Sequence, residues 1–387
     1  MLPPLKYHLQ TVRVRWRSTL ATLASIALVV MVYLLVQSLA AGLDAIATQT
    51  GDMRNLMVLR RGSIAESSSL LTIDQIRTAK HLQGIAKDKS GAPLASVDTL
   101  VVVNHQRRDG KSMANVLFRG ISQAGIELRQ QVQLVEGRWF APGRREAVAS
   151  TKLRDRMAGM EIGNEIKIGA DKLKIVGLMD GQGSAFDSEL WLDSEEAKGL
   201  FNRDFYSSVL LRLEDGADQK SLISRLDTDK RLQVRGILET DYYREQTKTA
   251  GPIRFLGNFL AAVMSVGAVV ASTNSMYAFM GKRTREIGTL RVLGFRRRTI
   301  LAGLLFEGVC IGFCGGLIGC VLALPVHGLS TGTMAFESFT EVVFHFQITL
   351  TLVARAMAFA VFAGLTGSLL PALRATRMPV VDALKSA

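Results

Sequence analysis

Four long runs almost empty of charge constrain this chain more than any other feature. Residues 18–43 and 255–281 hold no Asp, Glu, Lys or Arg, residues 299–327 hold only Glu307, and residues 348–373 hold only Arg355. Each run exceeds the ~20 residues that cross a ~30 Å hydrocarbon core. Four transmembrane helices are therefore expected, near 19–42, 255–281, 300–326 and 348–371. The remaining sequence is rich in charge, so apolar and polar residues are segregated along the chain. The first run is longer than the ~7–15-residue apolar region of a cleaved signal peptide, and it reads as a retained helix.

Between the second and third runs lies Lys282–Arg298, a basic connector with seven Lys or Arg against one acid, Glu286. By the positive-inside rule it is cytoplasmic. Both termini then lie in the cytoplasm and residues 44–254 lie outside. The segments so placed inside carry fourteen Lys or Arg against Glu286 and Asp382, whereas residues 44–254 are near neutral. The net charge of +13 thus reflects topology and contact with lipid headgroups, not nucleic acid. The three cysteines, Cys310, Cys314 and Cys320, all fall in the third run, so no disulfide can close within the external domain. Cys310 and Cys314 share a helix face but read as small packing residues, and no metal site is expected.

The expected fold is a membrane protein of four transmembrane α-helices, with a large α+β extracytoplasmic domain inserted between helices 1 and 2. Residues 1–18 form a cytoplasmic interfacial helix with Leu5, Leu9, Val12 and Trp16 on one side. Residues 43–254 form the external domain. Its mixed α/β part is 52–115 with 206–240, and 116–205 is a β-rich insert. Strands are expected over Asn55–Leu59, Leu100–Val103, Glu165–Ile168, Leu173–Val176 and Val209–Leu213. Helices are expected over Thr72–Leu82, with Thr72 and Gln75 as a capping box, and over Asp218–Leu226. The second membrane helix should run past Gly281 into the 282–298 segment, where Gly294 can take a left-handed cap. Residues 327–347 form an external loop and 372–387 a cytoplasmic tail.

Gly308, Gly312 and Gly316 recur every four residues, and Gly315 and Gly319 repeat the spacing. Small residues so placed let helices approach closely in lipid, either within one chain or between two copies. Glu307 and Arg355 are charges within apolar runs, and such charges are costly there. Glu307 lies nearer the inner end of its helix and Arg355 nearer the outer end of its own, which argues against a direct pair. Catalysis finds little support. There is no G-x-x-x-x-G-K-[ST] loop and no H-E-x-x-H. His81 and His105 have no chemical partner nearby in sequence. Gly328–Gly332 matches G-x-S-x-G without the strand-then-helix setting of a nucleophile elbow.

Several stretches resemble one family. They are Lys282-Arg283-Thr284-Arg285-Glu286-Ile287-Gly288 with Leu293-Gly294 and Arg296-Arg297-Arg298, Glu307 ahead of Gly315-Gly316, and Pro371–Ala375 through Asp382-Ala383-Leu384. In the external domain the matching stretch is Glu136-Gly137-Arg138-Trp139-Phe140 with Glu146. Together with the topology they resemble the MacB/FtsX-type permeases, the type VII or mechanotransmission class of ABC transporters.

The resemblance implies a permease driven by a cytoplasmic ABC ATPase, with ATP and Mg held by that partner and no cofactor in this chain. The macrolide exporter carries its ATPase ahead of the first helix, where this chain has about 18 residues, so the ATPase is expected in trans. A second permease copy, identical or paralogous, a periplasmic adaptor and an outer-membrane channel are further implied partners. The family's coupling helix maps onto Thr284–Leu293. Arg283, Arg285 and Glu286 are expected to contact the ATPase, Ile287 and Leu290 to fill its groove, and Leu293 and Gly294 to end the segment. The external domain is expected to divide into Porter-like and Sabre-like parts. The implied activity is export, or extraction of a substrate from the periplasmic side of a bacterial inner membrane. The alternatives are mechanical signalling to a cell-wall hydrolase, or lipoprotein or lipid extraction.

Overall fold

A computed structural model describes residues 16–246, 250–334 and 341–378. The expected interfacial helix lies outside the described residues except for Trp16–Ser18, and so does the tail from residue 379. In chain order the elements are α1 (Trp16–Thr50), β1 (Asn55–Arg60), α2 (Ile73–Lys80), β2 (Ala95–Gln106), β3 (Met113–Ile121), α3 (Gln123–Leu128), β4 (Gln133–Gly137) and β5 (Glu146–Ser150). Then come α4 (Thr151–Arg156), β6 (Glu165–Ile168), β7 (Asp171–Asp180), β8 (Glu189–Asp193), α5 (Ser194–Leu200), β9 (Ser208–Arg212), α6 (Gln219–Thr228), β10 (Val234–Leu238) and α7 (Glu239–Gln246). The chain ends with α8 (Ala250–Val292), α9 (Arg297–Ala323), β11 (Ser330–Met334), β12 (Glu341–His345) and α10 (Leu350–Arg377).

Among the described residues four helices are long and apolar enough to cross a membrane, with apolar spans at Leu20–Thr50, Phe255–Asn274, Arg297–Val326 and Leu350–Arg377. The parent helices outrun the expected spans. α1 has 35 residues and α8 has 43, or about 50 Å and 65 Å at 1.5 Å per residue. No Pro or capping signal interrupts Gly281–Val292, so the helical ladder of α8 continues through the basic connector. Residues 330–345, expected as loop, include the antiparallel hairpin pair β11–β12.

Residues 42–250 with 330–345 form a compact unit built on one mixed sheet in the order β10-β1-β9-β2-β3-β8-β5-β7-β4, with β6 also on β7. Local signals place several of its elements. Thr72 caps α2, accepting from the Gln75 N–H while the Gln75 side chain accepts from the Thr72 N–H. Alternate residues on β1 face opposite cores: Leu56 and Val58 pack beside α2 and α6, and Met57 and Leu59 pack with Phe140, Phe186 and Trp191.

The expected division at residues 115 and 116 falls inside β3, and the β-rich insert also carries α3, α4 and α5. β2 is the reason. Its first residues, Ala95–Asp98, pair with β9, and Thr99–Gln106 continue the same strand against β3. One strand therefore serves both parts, and a common core joins residues from each.

At that join sits Arg119, 1% exposed. It donates to Glu189 Oε2 and Oε1 at 2.7 and 2.8 Å, to Glu66 Oε1 and Oε2 at 3.1 and 3.0 Å, and to Asp98 Oδ2 at 3.2 Å. Arg129, fully buried, shares Asp98 Oδ2. Burial works against the Arg119 charge, but Glu189 and Glu66 hold its pKa well above the usual guanidinium range. Breaking such a buried cluster leaves bare charges, a loss of about 3–5 kcal/mol. Arg119→Leu should therefore lower unfolding stability by that amount in a denaturant titration followed by Trp191 fluorescence, while loss of an exposed pair such as Lys172–Glu165 should change little.

Candidate functional site

The connector between α8 and α9 is built by a helix stop. Gly294 lies at φ +89°, the left-handed region. The Phe295 N–H donates to the Leu290 carbonyl and the Gly294 N–H to the Arg291 carbonyl, both at 3.1 Å. This is a Schellman motif, and the side chains of Leu290 and Phe295 pack on the same cluster, as its hydrophobic contact requires. Arg296 precedes the first turn of α9, and Arg296, Arg297 and Arg298 are all exposed. A helix N-terminus disfavours cations, so three arginines there serve something other than helix stability.

The backbone of Thr284–Leu293 is helical to Val292, and nothing is described of the side chains of Arg283, Arg285 and Glu286. Ile287 corrects the expectation. It is 6% exposed and packs with Met276, Ile300, Leu304 and Ala372 of its own chain, with Leu290 beside it. Hydrophobic periodicity marks an apolar face without saying which partner covers it. The open apolar side chains are Val292, which the sequence reading passed over, and Leu293, at 64% and 69% exposed. The Arg291 guanidinium donates to the Met378 carbonyl at 2.7 Å and ties this tip to the end of α10.

The five glycines between 308 and 319 on α9 are buried against the same chain. Gly308, Gly312 and Gly316 face Ser368, Gly364 and Ala360 of α10. A Cβ on Gly312 would lie 2.5 Å from the Ala360 carbonyl oxygen. Gly315 and Gly319 face Leu23, Ile26, Ala27 and Val30 of α1. A second joint links α8 and α10. Pro371 has no N–H for the Gly367 carbonyl one turn back, and the Thr273 hydroxyl supplies a donor at 3.0 Å. Glu307 is buried and Arg355 exposed. Gly328–Gly332 runs into strand β11, so the helix of a nucleophile elbow is missing. His81 and His105 both contact backbone carbonyls, those of Arg77 and Ala158.

The outer end of α1 meets the start of α7 in a clasp that no motif announced. Glu239, fully buried, accepts from the Asp52 N–H at 3.0 Å and the Asn55 amide at 2.7 Å. A Cβ on Gly51 would come within 2.6 Å of the Thr240 nitrogen, so only glycine fits. The last helical carbonyl, that of Thr50, accepts from the Gln131 amide at 2.6 Å, and the Thr50 hydroxyl accepts from the Ala185 N–H at 2.8 Å. Asp52 also pairs with Arg212 at 2.5 Å. The partners come from residues 131, 185, 212 and 239, too far apart in sequence for spacing to show them.

The stretch Glu136–Phe140 with Glu146 is structural. Gly137 lies at φ +78° against the Val176 carbonyl, where a side chain would clash with β7. The Arg138 guanidinium grips both Glu146 oxygens at 2.7 and 2.6 Å, Trp139 stacks on Trp191, and Phe140 is buried.

Burial pushes the Glu239 carboxyl up, against the pull of Arg129 and of its own donors. Its stabilising contribution is complete below the ordinary glutamate value of 4.5 and is lost as pH rises through the raised value. Glu239→Gln should therefore raise the thermal midpoint at pH 8, with the gain shrinking toward pH 4.5. Asp52 has the opposite sign. Burial raises it, but Arg54 and Arg212 outweigh burial and lower it from 3.8 to about 2, so its contribution is lost as pH falls from about 4 toward 2. Gly312→Val should force α9 from α10 at about 1–3 kcal/mol, read as a lower thermal midpoint in detergent.

Comparison with known proteins agrees with this architecture. The MacB-like periplasmic core domain matches residues 19–229, and the FtsX-like permease C-terminal domain matches residues 258–380. The chain is 23% identical to the macrolide export ATP-binding/permease protein MacB of Bdellovibrio bacteriovorus, over 86% of this chain and 53% of that protein. Against MacB of Rhodopseudomonas palustris it is 28% identical over 72% of this chain and 44% of that protein. The pyoverdine export ATP-binding/permease protein PvdT of Pseudomonas entomophila is 28% identical over 65% and 40%. The chain spans about half the length, or less, of the curated relatives it matches. Four apolar helices and a periplasmic core domain make it an inner-membrane protein with its large domain in the periplasm. The chain belongs to the MacB/FtsX-type ABC transporter permeases.

Proposed function

We propose that this chain is the membrane-spanning part of an export-type ABC transporter, moved by an ATP-hydrolysing cytoplasmic unit other than residues 1–387. That unit holds ATP and Mg. Nucleotide-driven closure pushes on the α8–α9 tip, with both chain termini on the same cytoplasmic side. The observation that carries this reading is the tip itself: Val292 and Leu293 exposed beside Arg296, Arg297 and Arg298, on a turn fixed by Gly294. An exposed apolar pair within a cationic rim is a docking surface for an acidic-rimmed groove. Ile287 and Leu290 hold the tip to its own helices so that a push on it moves α8 as a rod.

At about 65 Å, α8 is longer than a ~30 Å hydrocarbon core, so its ends reach both aqueous sides. Outside, the Glu239 and Gly51 clasp fixes the end of α1 to the start of α7, so helix displacement becomes displacement of the sheet. Export of the kind named for the relatives, with a second permease copy, a periplasmic adaptor and an outer-membrane channel, completes the reading.

The test is affinity purification of the full chain in mild detergent. An ABC ATPase should co-purify, with ATPase activity stimulated by the permease. Leu293→Asp with Val292→Asp should reduce both capture and stimulation at least tenfold without changing the thermal midpoint. An ATPase retained equally by the double variant, or no ATPase at all, overturns the assignment of the tip.

A further inference from the structure

A cleft between the inner ends of α8 and α10, about 510 Å³, is lined by Tyr277, Leu370, Leu373, Arg374, Arg377 and Met378. Its volume lies within the ~300–1,000 Å³ common for small-ligand sites. Its chemistry is divided. Leu370 is 61% exposed and, with Leu373 and Met378, forms an apolar wall. Arg374 and Arg377, from the same helix, are both exposed beside them, and no carboxylate lines the cleft among the described residues. The Arg374 guanidinium carbon stands 6.0 Å from the Tyr277 ring centroid, a cation–π contact that holds it over the opening. The Met378 carbonyl at the rim accepts from Arg291, so the cleft is joined to the connector. One helical turn above, the Thr273 hydroxyl and the Gly367 carbonyl fasten the same two helices together.

We propose that this cleft binds the headgroup of an anionic phospholipid of the inner leaflet. Two guanidiniums with no acid beside them among the described lining residues favour an anion. Their place at the basic ends of two membrane helices puts that anion at headgroup depth, an inference that rests on the cytoplasmic assignment of the basic connector. The exposed leucine wall takes the start of an acyl chain, which a free phosphate lacks. The bound lipid bridges α8 and α10 beside the connector, so the composition of the inner leaflet sets how firmly the Arg291 contact is held.

The test uses the full chain in mild detergent and in nanodiscs. Native mass spectrometry with added phosphatidylglycerol should show a tightly retained lipid, with phosphatidylcholine retained at least tenfold less. Phosphatidylglycerol nanodiscs should raise the thermal midpoint over phosphatidylcholine ones. Arg374→Gln with Arg377→Gln should abolish both effects and keep the wild-type midpoint in phosphatidylcholine. Arg296→Gln with Arg297→Gln, also basic, should retain the lipid. Arg374→Lys keeps the charge and should keep most of the binding; it serves if the double variant does not fold. Equal retention of the two lipids, or phosphatidylglycerol retained by the double Gln variant, overturns the proposal. Displacement of the lipid by millimolar inorganic phosphate or glycerol phosphate would identify a free phosphate site and overturns the lipid assignment. Because none of these readouts involves nucleotide, an absent ATPase leaves them interpretable, and a bound ATPase does not rescue them.

Discussion

A single guanidinium, that of Arg119, gathers Glu66, Asp98 and Glu189 from three separated segments and fixes where the two parts of the periplasmic sheet meet. Buried charge is tolerated only where geometry is met on every side. That requirement makes the cluster a register device as well as a contact. If β2 slipped by one residue against β3, Asp98 would leave Arg119 and a carboxylate would lie bare in the core. Trp191 donates its indole N–H to Glu189 and so binds the aromatic core to the same charges.

In the membrane the constraint is different. Lipid offers helices no hydrophobic gain from leaving it, so close contact and shared polar groups must do the joining. Here glycine supplies the contact, with α9 turning one face to α10 and the other to α1. The few polar groups act at joints: Gln37 with Asn258, and Thr273 with the carbonyl freed by Pro371.

How much was legible can be judged from particular residues. Thr72 with Gln75, Asp218 ahead of α6 and Gly294 after α8 carry local signals, because a cap is satisfied within four or five residues. The boundary at 115 and 116 follows the start of the β-rich stretch, but β-strand pairing ignores it, since β2 runs on from one partner to the next. Ile287 belonged to a visible apolar face, and its occupant was misjudged because an amphipathic pattern is blind to whether the cover comes from the same chain. Glu136–Phe140 was visible as a motif, and only contacts revealed that its residues hold a turn.

The sequence by itself determined the four spans and the basic connector between the second and third, along with the helix caps. Each follows from short-range physics: transfer of an uncharged run into lipid, or a backbone group met by its neighbour. Only the tertiary structure decided which helix each glycine from 308 to 319 faces, that Arg119 collects carboxylates at 66, 98 and 189, and that Gly51 and Glu239 clasp the end of α1. These are contacts between groups distant in sequence. Their partners are chosen by packing and by the need to pair every buried charge, conditions that exist only once the chain is folded.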